Sequence, residues 1–237
     1  MCIQDRTNTS VHALNDTMLN NGAGAAALNL AGGSATGAAI GGAIAAAMSN
    51  NATLAYIYGT TMNNQSSVTV QALNGGSATV VAIGVAGSKS NAASLSASVG
   101  IITDSANAYI ESSTITGQAT GVNRALEVDA YQTTNIAIGG GVLYMSGGQA
   151  GVGIGLTYAS IADPAGGNAT DAHIRTTSIS NYATRLVLAV SASVIAACAA
   201  SGGAATNGNA LSGAVVVDEI TPTTTAYINS GATVNIN

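Results

Sequence analysis

Large aromatic side chains are almost absent from this chain of 237 residues. It contains no Phe and no Trp, although hydrophobic residues make up 47% of the sequence. A wide globular core needs large side chains to fill the space between its layers. Ala and the 30 Gly residues can fill only a thin space between closely spaced backbones. This composition argues against a wide sandwich or a doubly wound sheet and favours a flat solenoid.

Charge is also scarce. Asp, Glu, Lys and Arg make up 6% of the residues, against roughly 25% in an ordinary soluble domain. A disordered chain would be polar and highly charged, and this chain is neither. The five Lys and Arg residues are scattered and the net charge is −5, so no basic stripe exists to follow a phosphate backbone. We therefore expect no nucleic-acid partner.

Cysteine and metal-ligand patterns are equally sparse. The only cysteines are Cys2 and Cys198, and no CxxC or Cys/His spacing typical of a zinc site occurs. We expect no metal and no other cofactor. Cys198 lies in the apolar run LVLAVSASVIAACAA (186–200) and is expected to be a small buried residue. A bridge between Cys2 and Cys198 stays open as an alternative.

Membrane and targeting segments are not expected either. The same apolar run has about 15 residues, whereas a spanning helix needs roughly 20. The first ten residues lack the basic start and apolar region of a signal peptide. If the protein is exported, this sequence is a mature fragment or an internal piece of a longer chain.

One phrase occurs four times: TLAYIYGTTM (53–62), NAYIESSTI (107–115), TDAHIRTTSI (170–179) and TTAYINSGATV (224–234). Its central residues are Tyr56, Tyr109, His173 and Tyr227, at intervals of 53, 64 and 54 residues. The long interval contains two segments of loop composition, 116–125 and 162–170. Repetition at this spacing predicts one domain of stacked units. The repeats span 53–105, 106–169 and 170–223, with partial repeats at 1–52 and 224–237.

A second marker supports the same period. The alternating segments VTVQA (68–72), LEVDA (126–130) and LVLAV (186–190), aligned on Ala72, Ala130 and Val190, follow each other at about 60 residues. Alternation with period two, rich in Val, Ile, Thr and Tyr, predicts strands. We therefore predict an all-β fold, a parallel β-helix or β-solenoid of about four imperfect repeats of 53–64 residues. Its thin core consists of Ala, Gly, Val and Ile.

The repeated phrase also predicts which side chains share a face. Ala and Ile of the AYI triplet point one way and the central residue points the other. The expected core ladder consists of Ile57, Ile110, Ile174 and Ile228. The expected outward column, a surface for stacking or for a partner, consists of Tyr56, Tyr109, His173 and Tyr227.

Two details of the architecture stay open in the sequence. Each unit contains four strand-like segments, and we expect it to form two ordinary rungs rather than one wide rung. Segment 22–48 is so rich in Ala that a helix is an alternative to strands there.

Candidate catalytic groups are few. Glu127 and Asp129 lie on one face of a predicted strand, as the two carboxylates of a glycosidase would, but two solvated acids are the expected outcome. His12 and His173 belong to no Ser-His-Asp arrangement, and His173 occupies a Tyr position of the repeat. Asp163, Asp171 and Asn168 share one loop and could hold only a weakly bound ion. We therefore expect no enzyme activity.

A longer pattern occurs twice. AAIGGAIAAAMSNNATLAYIYGTTM (38–62) is followed by VTVQA and VVAIGV (80–85), and SANAYIESSTI (105–115) is followed by LEVDA and NIAIGG (135–140). This pattern resembles the repeats of very large secreted adhesins of Gram-negative bacteria, the filamentous haemagglutinin-like exoproteins and the leukotoxin-type autotransporter passenger regions. The resemblance implies a parallel β-solenoid, a secreted or bacterial cell-surface location, and an adhesive or structural function without catalysis.

Three functional hypotheses follow. The first is a structural or adhesive solenoid that self-associates end to end into a filament and contacts host or bacterial surface glycans or proteins. Neither predicted end looks like a polar cap, so flanking sequence or another copy is expected to cover it. The second is a carbohydrate-binding or depolymerising β-helix that uses exposed Tyr and acidic residues. The third, an Ala/Gly-rich membrane-embedded protein, is the least favoured.

Overall fold

The architecture is a parallel β-solenoid. A computed structural model describes residues 7–29, 37–119, 124–148, 150–165, 167, 169–229 and 231–235. These residues form fifteen strands and no helix, so none of them belongs to a helix long and apolar enough to cross a membrane. The strand pairs are parallel, which confirms the predicted fold class.

The strands follow one another in four successive coils. They are β1 (Thr7–Asn29), β2 (Ala38–Ser49), β3 (Ala52–Tyr58), β4 (Thr61–Ser88), β5 (Asn91–Ile102), β6 (Ser105–Glu111), β7 (Thr114–Gly117), β8 (Ala125–Ser146), β9 (Ala150–Ala162), β10 (Thr170–Arg175), β11 (Ser178–Ser180), β12 (Thr184–Ala205), β13 (Asn209–Thr221), β14 (Thr224–Ile228) and β15 (Thr233–Val234). Sheet A stacks the long strands β1, β4, β8 and β12. In the same sheet the first residues of β4 pair with β7, β7 pairs with β11, and β11 pairs with β15. Sheet B stacks β2, β5, β9 and β13, and sheet C stacks β3, β6, β10 and β14.

Each repeat is one wide rung, so the expectation of two rungs is wrong. Thr53 pairs with Ala106, Ala106 with Thr170, and Thr170 with Thr224, which are the first residues of successive repeats. The reason lies in sheet A. LEVDAYQ and NIAIGGGVLYM, which the sequence suggests as two strands, both lie within the 22 residues of β8. With one strand spacing per coil, four coils make a slab roughly 20 Å tall.

The alignment of the last repeat also needs a correction. Ala13, Ala72 and Ala130 pair in register, and the next residue of that column is Ala189 rather than Val190. A shift of one residue moves every side chain of a strand to the opposite face. Val190 is accordingly exposed on the outer surface.

The helical alternative for 22–48 is wrong where the structure describes it. β1 continues to Asn29 and β2 begins at Ala38, while residues 30–36 lie outside the described part. Pairing of β1 with β4 and of β2 with β5 is continuous through these strands. Tertiary pairing here overrides the helical preference of Ala.

A polar seam divides the interior of the second and third coils. Asn74 donates a hydrogen bond to the Ser105 carbonyl (3.2 Å) and Gln132 donates one to the Asp104 carbonyl (2.8 Å). Thr170 donates to the Gln132 side chain (3.0 Å). These side chains satisfy backbone groups at the corner where sheet B turns into sheet C, which would otherwise be buried without partners.

The seam separates two halves, one with a single hydrophobic cluster and the other with two. We call them the sheet-C half and the sheet-B half. The sheet-C half comprises residues 7–14, 52–73, 105–131, 170–190 and 224–235, and the sheet-B half comprises residues 18–49, 77–102, 135–162 and 194–221, in each case as far as they are described.

The two halves differ in what fills them. The sheet-C core contains large side chains such as Ile110, Leu126 and Ile174, all fully buried. The sheet-B half also buries large side chains, Ile102, Ile136, Ile161 and Tyr144. At other points its sheets approach so closely that a Cβ added at Gly84 would lie 2.4 Å from the Leu95 carbonyl oxygen. Only Gly and small side chains fit at such points.

Candidate functional site

The outer face of sheet C carries the aromatic column. The rings of Tyr56 and Tyr109 stack with centroids 5.3 Å apart, Tyr109 and His173 with centroids 5.1 Å apart, and His173 and Tyr227 with centroids 5.0 Å apart. The planes are inclined by 17°, 8° and 5°. In-register parallel pairing puts equivalent residues about one strand spacing apart, so flat rings at this position stack.

The isoleucines beside this column point into the core. Ile57, Ile110 and Ile174 pair in register and are buried. Ile228 continues the ladder in register with Ile174, but it is 49% exposed. It lies in the fourth coil, and no further described coil covers it.

His173 lies between two carboxylates on this face. Its Nδ1 lies 2.6 Å from Asp171 Oδ2 and its Nε2 lies 2.9 Å from Glu111 Oε1. Arg175 Nη2 donates to the same Glu111 oxygen at 2.8 Å. Both neighbours of the imidazole are carboxylate acceptors, and only the imidazolium form can donate to both at once. The geometry therefore favours protonated His173.

The pKa shifts agree with this geometry. Burial lowers the pKa of His173, but the hydrogen bonds and charges of Asp171 and Glu111 outweigh burial, and the net pKa is raised. Burial raises the pKa of Asp171, but hydrogen bonds from His173 and Thr225 and the charge of His173 bring the net pKa below its ordinary value. Each partner stabilises the ionised form of the other.

The stacked rings leave little aromatic surface for a ligand. Both faces of Tyr109 and His173 are covered by their neighbours in the column, and His173 is only 8% exposed. Tyr56 and Tyr227, at the ends of the column, are 49% and 38% exposed. A flat partner can therefore stack only at the two ends, while the ring edges face outward along the column.

The proposed carboxylate pair has a different environment from the one expected. Glu127 and Asp129 share the outer face of β8, but Asp129 is only 5% exposed and is not a solvated acid. Its register neighbours are Gln71 and Leu188. Burial, and then the charge of Glu127, raises the pKa of Asp129. Asp129 is buried because the neighbouring long strands place side chains on both sides of it, whereas at the edge of a sheet it would be solvated.

Asp163 stabilises a turn. It accepts hydrogen bonds from the backbone amides of Ala169 (3.1 Å) and Thr223 (2.6 Å). Burial raises the pKa of Asp163, and the hydrogen bonds from Thr223 and Ala169 lower it below its ordinary value overall. Asn168, the third member of the suggested ion site, lies outside the described residues. Among the described side chains, no cluster of three acidic, His or Cys residues could hold a metal ion.

Two further predictions concern single residues. Cys198 is an exposed free thiol, so the expectation that it is buried is wrong, because its register neighbour Gly139 and the residues around it place it on the outer face of sheet A. Cys2 lies outside the described residues. His12 is exposed on β1, where Nδ1 lies 3.2 Å from the Gln71 side-chain oxygen of the next coil.

Sequence reasoning missed a shallow cleft above the seam. It lies on the outer face of sheet A and has a volume of about 470 Å³. Leu14, Asp16, Tyr131 and Asn135 are among the side chains that line it. Gly75 lies in this cleft, in register with Asp16 and Thr133. This glycine could have predicted the cleft from the sequence, because a glycine between larger outward residues leaves a depression in the surface.

Comparisons with known proteins add no relative from which a role could be transferred: no protein-family model, no curated protein and no solved structure matches this chain.

Proposed function

We propose that this chain is a non-catalytic structural and adhesive β-solenoid of the bacterial cell surface that stacks end to end on further copies of itself. The observation that carries the proposal is the identity of the interior columns from coil to coil. Val11, Val70, Val128 and Val187 form one column. The next inward column is Ala throughout, ending at Ala189. A copy stacked on either end would continue both columns without a mismatch.

The two outer coils leave these columns open. Val11 and Val187 are only partly buried, whereas Val70 and Val128 between them are completely buried. Covering such apolar surface is favourable. No described strand pairs with the outer edge of β1 or of β12, and such edges supply hydrogen-bonding groups for another strand.

The aromatic column supports the same arrangement. Tyr56 and Tyr227 each have one ring face without a stacked neighbour among the described residues. A head-to-tail copy would place these two rings about one strand spacing apart, so the column would run through the junction. Offset stacked aromatic pairs add roughly 0.5–1.5 kcal/mol beyond the burial of area.

A charge placed inside the open end tests end-to-end stacking. In the monomer, a lysine at position 187 can extend its amine to solvent through the open end of the core. In a stack the same amine would be buried without a partner. Val187→Lys should therefore abolish end-to-end stacking and filaments while leaving circular dichroism unchanged, whereas Val190→Lys on the outer face of the same strand should form filaments like the parent. Sedimentation velocity and electron microscopy measure this. A parent chain that forms no filament at any concentration, or filaments of Val187→Lys, would reject the proposal.

The cell-surface location rests on the resemblance of the repeats and on the low charge. Antibody labelling of intact cells of the producing organism tests it. Labelling that requires permeabilised cells would contradict the surface assignment without affecting the assembly result.

One observation favours carbohydrate binding as a second candidate. The cleft above the seam combines an aromatic side chain, Tyr131, with polar groups of Asp16, Thr133 and Asn135, which suits a sugar ring and its hydroxyls. A glycan array with the parent and Tyr131→Ala tests this. Binding that is lost in Tyr131→Ala supports the second candidate. Binding lost instead in Tyr227→Ala would place the adhesive surface at the end of the aromatic column.

A further inference from the structure

The outer face of sheet A in the sheet-B half is an apolar surface with a ridge beside a groove. Val81 and Ile83 project from β4 and are 39% and 47% exposed. Their register partners on β8 are Gly139 and Gly141. We call the outward residues within 79–87 and 137–145 the ridge-and-groove surface.

Packing within the chain does not require these glycines. A Cβ at Gly139 would meet Cys198 Sγ at 3.6 Å, and one at Gly141 would meet Ile83 Cγ1 at 3.9 Å, both ordinary contact distances. Neither has a positive φ. The inward Gly84, by contrast, has a backbone oxygen 2.4 Å from the Cβ position. Glycine weakens a strand interior, so the groove has a cost that the isolated chain does not explain.

We propose that two copies of this chain pair face to face through the ridge-and-groove surface. They are related by a two-fold axis that runs parallel to the strands, midway between β4 and β8. Because Val81 is level with Gly139, and Ile83 with Gly141, this axis places each ridge residue over the groove glycine of the second copy. The reciprocal contacts form at the same time, as an isologous interface requires.

The same axis matches the flanking strands. It places β1 of one copy over β12 of the other, with Gly22 opposite Cys198 and Leu28 opposite Ala204, since these residues are level in the register. On the central strands Met145, which is 72% exposed, lies opposite Gly87, over which Leu28 of the same chain leans with its Cδ2 2.9 Å from the Cβ position. Large residues thus meet small ones along most of the surface.

One opposed pair has two large members, Val85 and Leu143. Leu143 Cδ2 lies 4.0 Å from the Cβ position of Gly202 on the neighbouring strand, so Leu143 already leans over a vacant position. That tilt makes room for Val85 of the second copy.

Charge and size both suit a second copy. Outward positions of the four strands in this region carry no charged side chain, so identical faces meet without like-charge repulsion. About ten residues along each of four strands cover roughly 600 Å² at standard strand dimensions. Two such faces give about 1,200 Å² in total, which lies at the lower end of the range for specific interfaces.

The pairing is independent of end-to-end stacking, because it uses the outer face of sheet A rather than the strand edges. The test therefore uses the Val187→Lys chain, in which stacking is blocked. We expect this chain to sediment as a discrete dimer that dissociates on dilution. If the proposed function fails and the parent forms no filament, the dimer is still expected.

Filling the groove tests the pairing itself. Gly139→Val with Gly141→Val should raise the dimer dissociation constant at least about tenfold, since valine occupies the space of Val81 and Ile83 from the second copy. Gly213→Val is the matched control, because it lies on the outer face of sheet B and a Cβ there would meet nothing within 4 Å. It should leave the dimer unchanged. Thermal unfolding of each variant checks that the fold is retained.

Ile83→Lys is a second variant, which leaves the groove unfilled and instead places a charge on the ridge. It should also give monomers. A dimer that survives both changes, or a Val187→Lys chain that stays monomeric at all concentrations, would overturn the proposal. An uncharged apolar face could bind a lipid surface instead of a second copy, and flotation with neutral phosphatidylcholine vesicles distinguishes these two cases. Monomers that bind these vesicles through Ile83 would assign the surface to lipid instead.

Discussion

In the sheet-C half of each coil most of the large aliphatic side chains point inward, whereas in much of the sheet-B half they point outward. Ile110 is completely buried in the first, and Ile44 is 70% exposed in the second. Its neighbours inside the sheet-B half, Ala43 and Ala45, are 5% and 2% exposed. The distance between facing sheets decides which residues can be inside, and hydrophobicity alone does not.

Charge follows the same division. The described sheet-B half has only three charged residues, Lys89, Asp218 and Glu219. The His173, Asp171, Glu111 and Arg175 network belongs to the sheet-C half. One half of the molecule therefore has a conventional core with polar contacts outside it, and the other has a thin core with apolar surfaces that suit association.

Truncating one isoleucine in each half should give the largest difference. Ile110→Ala removes a buried side chain from the sheet-C core and should lower the free energy of unfolding by about 2–5 kcal/mol. Ile44→Ala removes an exposed one and should change it by less than about 0.5 kcal/mol. Urea unfolding of the Val187→Lys chain measures both. Equal losses would mean that the sheet-B outer face is covered even in the monomer.

Adding one carbon inside the thin core should have the next largest effect. Gly84→Ala places a Cβ 2.4 Å from the Leu95 carbonyl oxygen, which forces the sheets apart and should cost about 1–3 kcal/mol. Gly141→Ala, outward on the next coil, meets only an ordinary contact at 3.9 Å and should be neutral or slightly stabilising in the monomer. Thermal unfolding compares the two. A neutral Gly84→Ala would contradict the close approach of sheets A and B.

The pH dependence of stability should arise in the sheet-C half. The raised pKa of His173 means that its contribution is complete below the unfolded value of about 6.5 and is lost as pH rises through the folded pKa. The lowered pKa of Asp171 means that its contribution is complete above about 3.9 and is lost as pH falls through the folded pKa. Stability from this pair should therefore be greatest between about pH 4 and 6.5.

His173→Tyr, which restores the residue of the other three coils, should remove the loss of stability above pH 6.5, on the order of 1 kcal/mol. Unfolding midpoints from pH 3 to 9 measure it. Glu219→Gln in the sheet-B half is the control and should leave that part of the profile unchanged. An identical profile for His173→Tyr and the parent would exclude His173 as the group responsible.

The smallest expected effect concerns the corner after sheet C. Gly59, Ser112 and Thr176 occupy it in successive coils with φ of 61°, 51° and 50°. A β-branched residue is strained there, so Thr176→Gly should raise the free energy of unfolding by up to about 1 kcal/mol. Thr114→Gly, on strand β7, should instead lower it by about 0.5–1 kcal/mol. Differential scanning calorimetry checks the opposite signs.

The repeated phrase was sufficient to predict strands, their parallel stacking and the positions that share a column. Tyr56, Tyr109 and His173 occur at equivalent points of one pattern, and equivalent points of a parallel solenoid are neighbours. The partners of His173 were not predictable from that pattern. Asp171 lies two residues before it, but Glu111 comes from the preceding coil, and only the register brings Glu111 Oε1 to 2.9 Å from the ring.

The sequence by itself determined the all-β class, because its apolar residues alternate with period two. It also excluded a wide interior, because a chain with no Phe or Trp and 30 Gly cannot fill one. The sequence did not determine the number of rungs per repeat. The two strand-like segments of β8 join at the seam without a turn motif, so the sequence does not show that they form one strand. Only the tertiary structure decided that each repeat is one rung and that Ala189, rather than Val190, continues the inner column. The physical reason is that alternation gives two faces to every strand, and the sheet that packs against it selects the one that is buried.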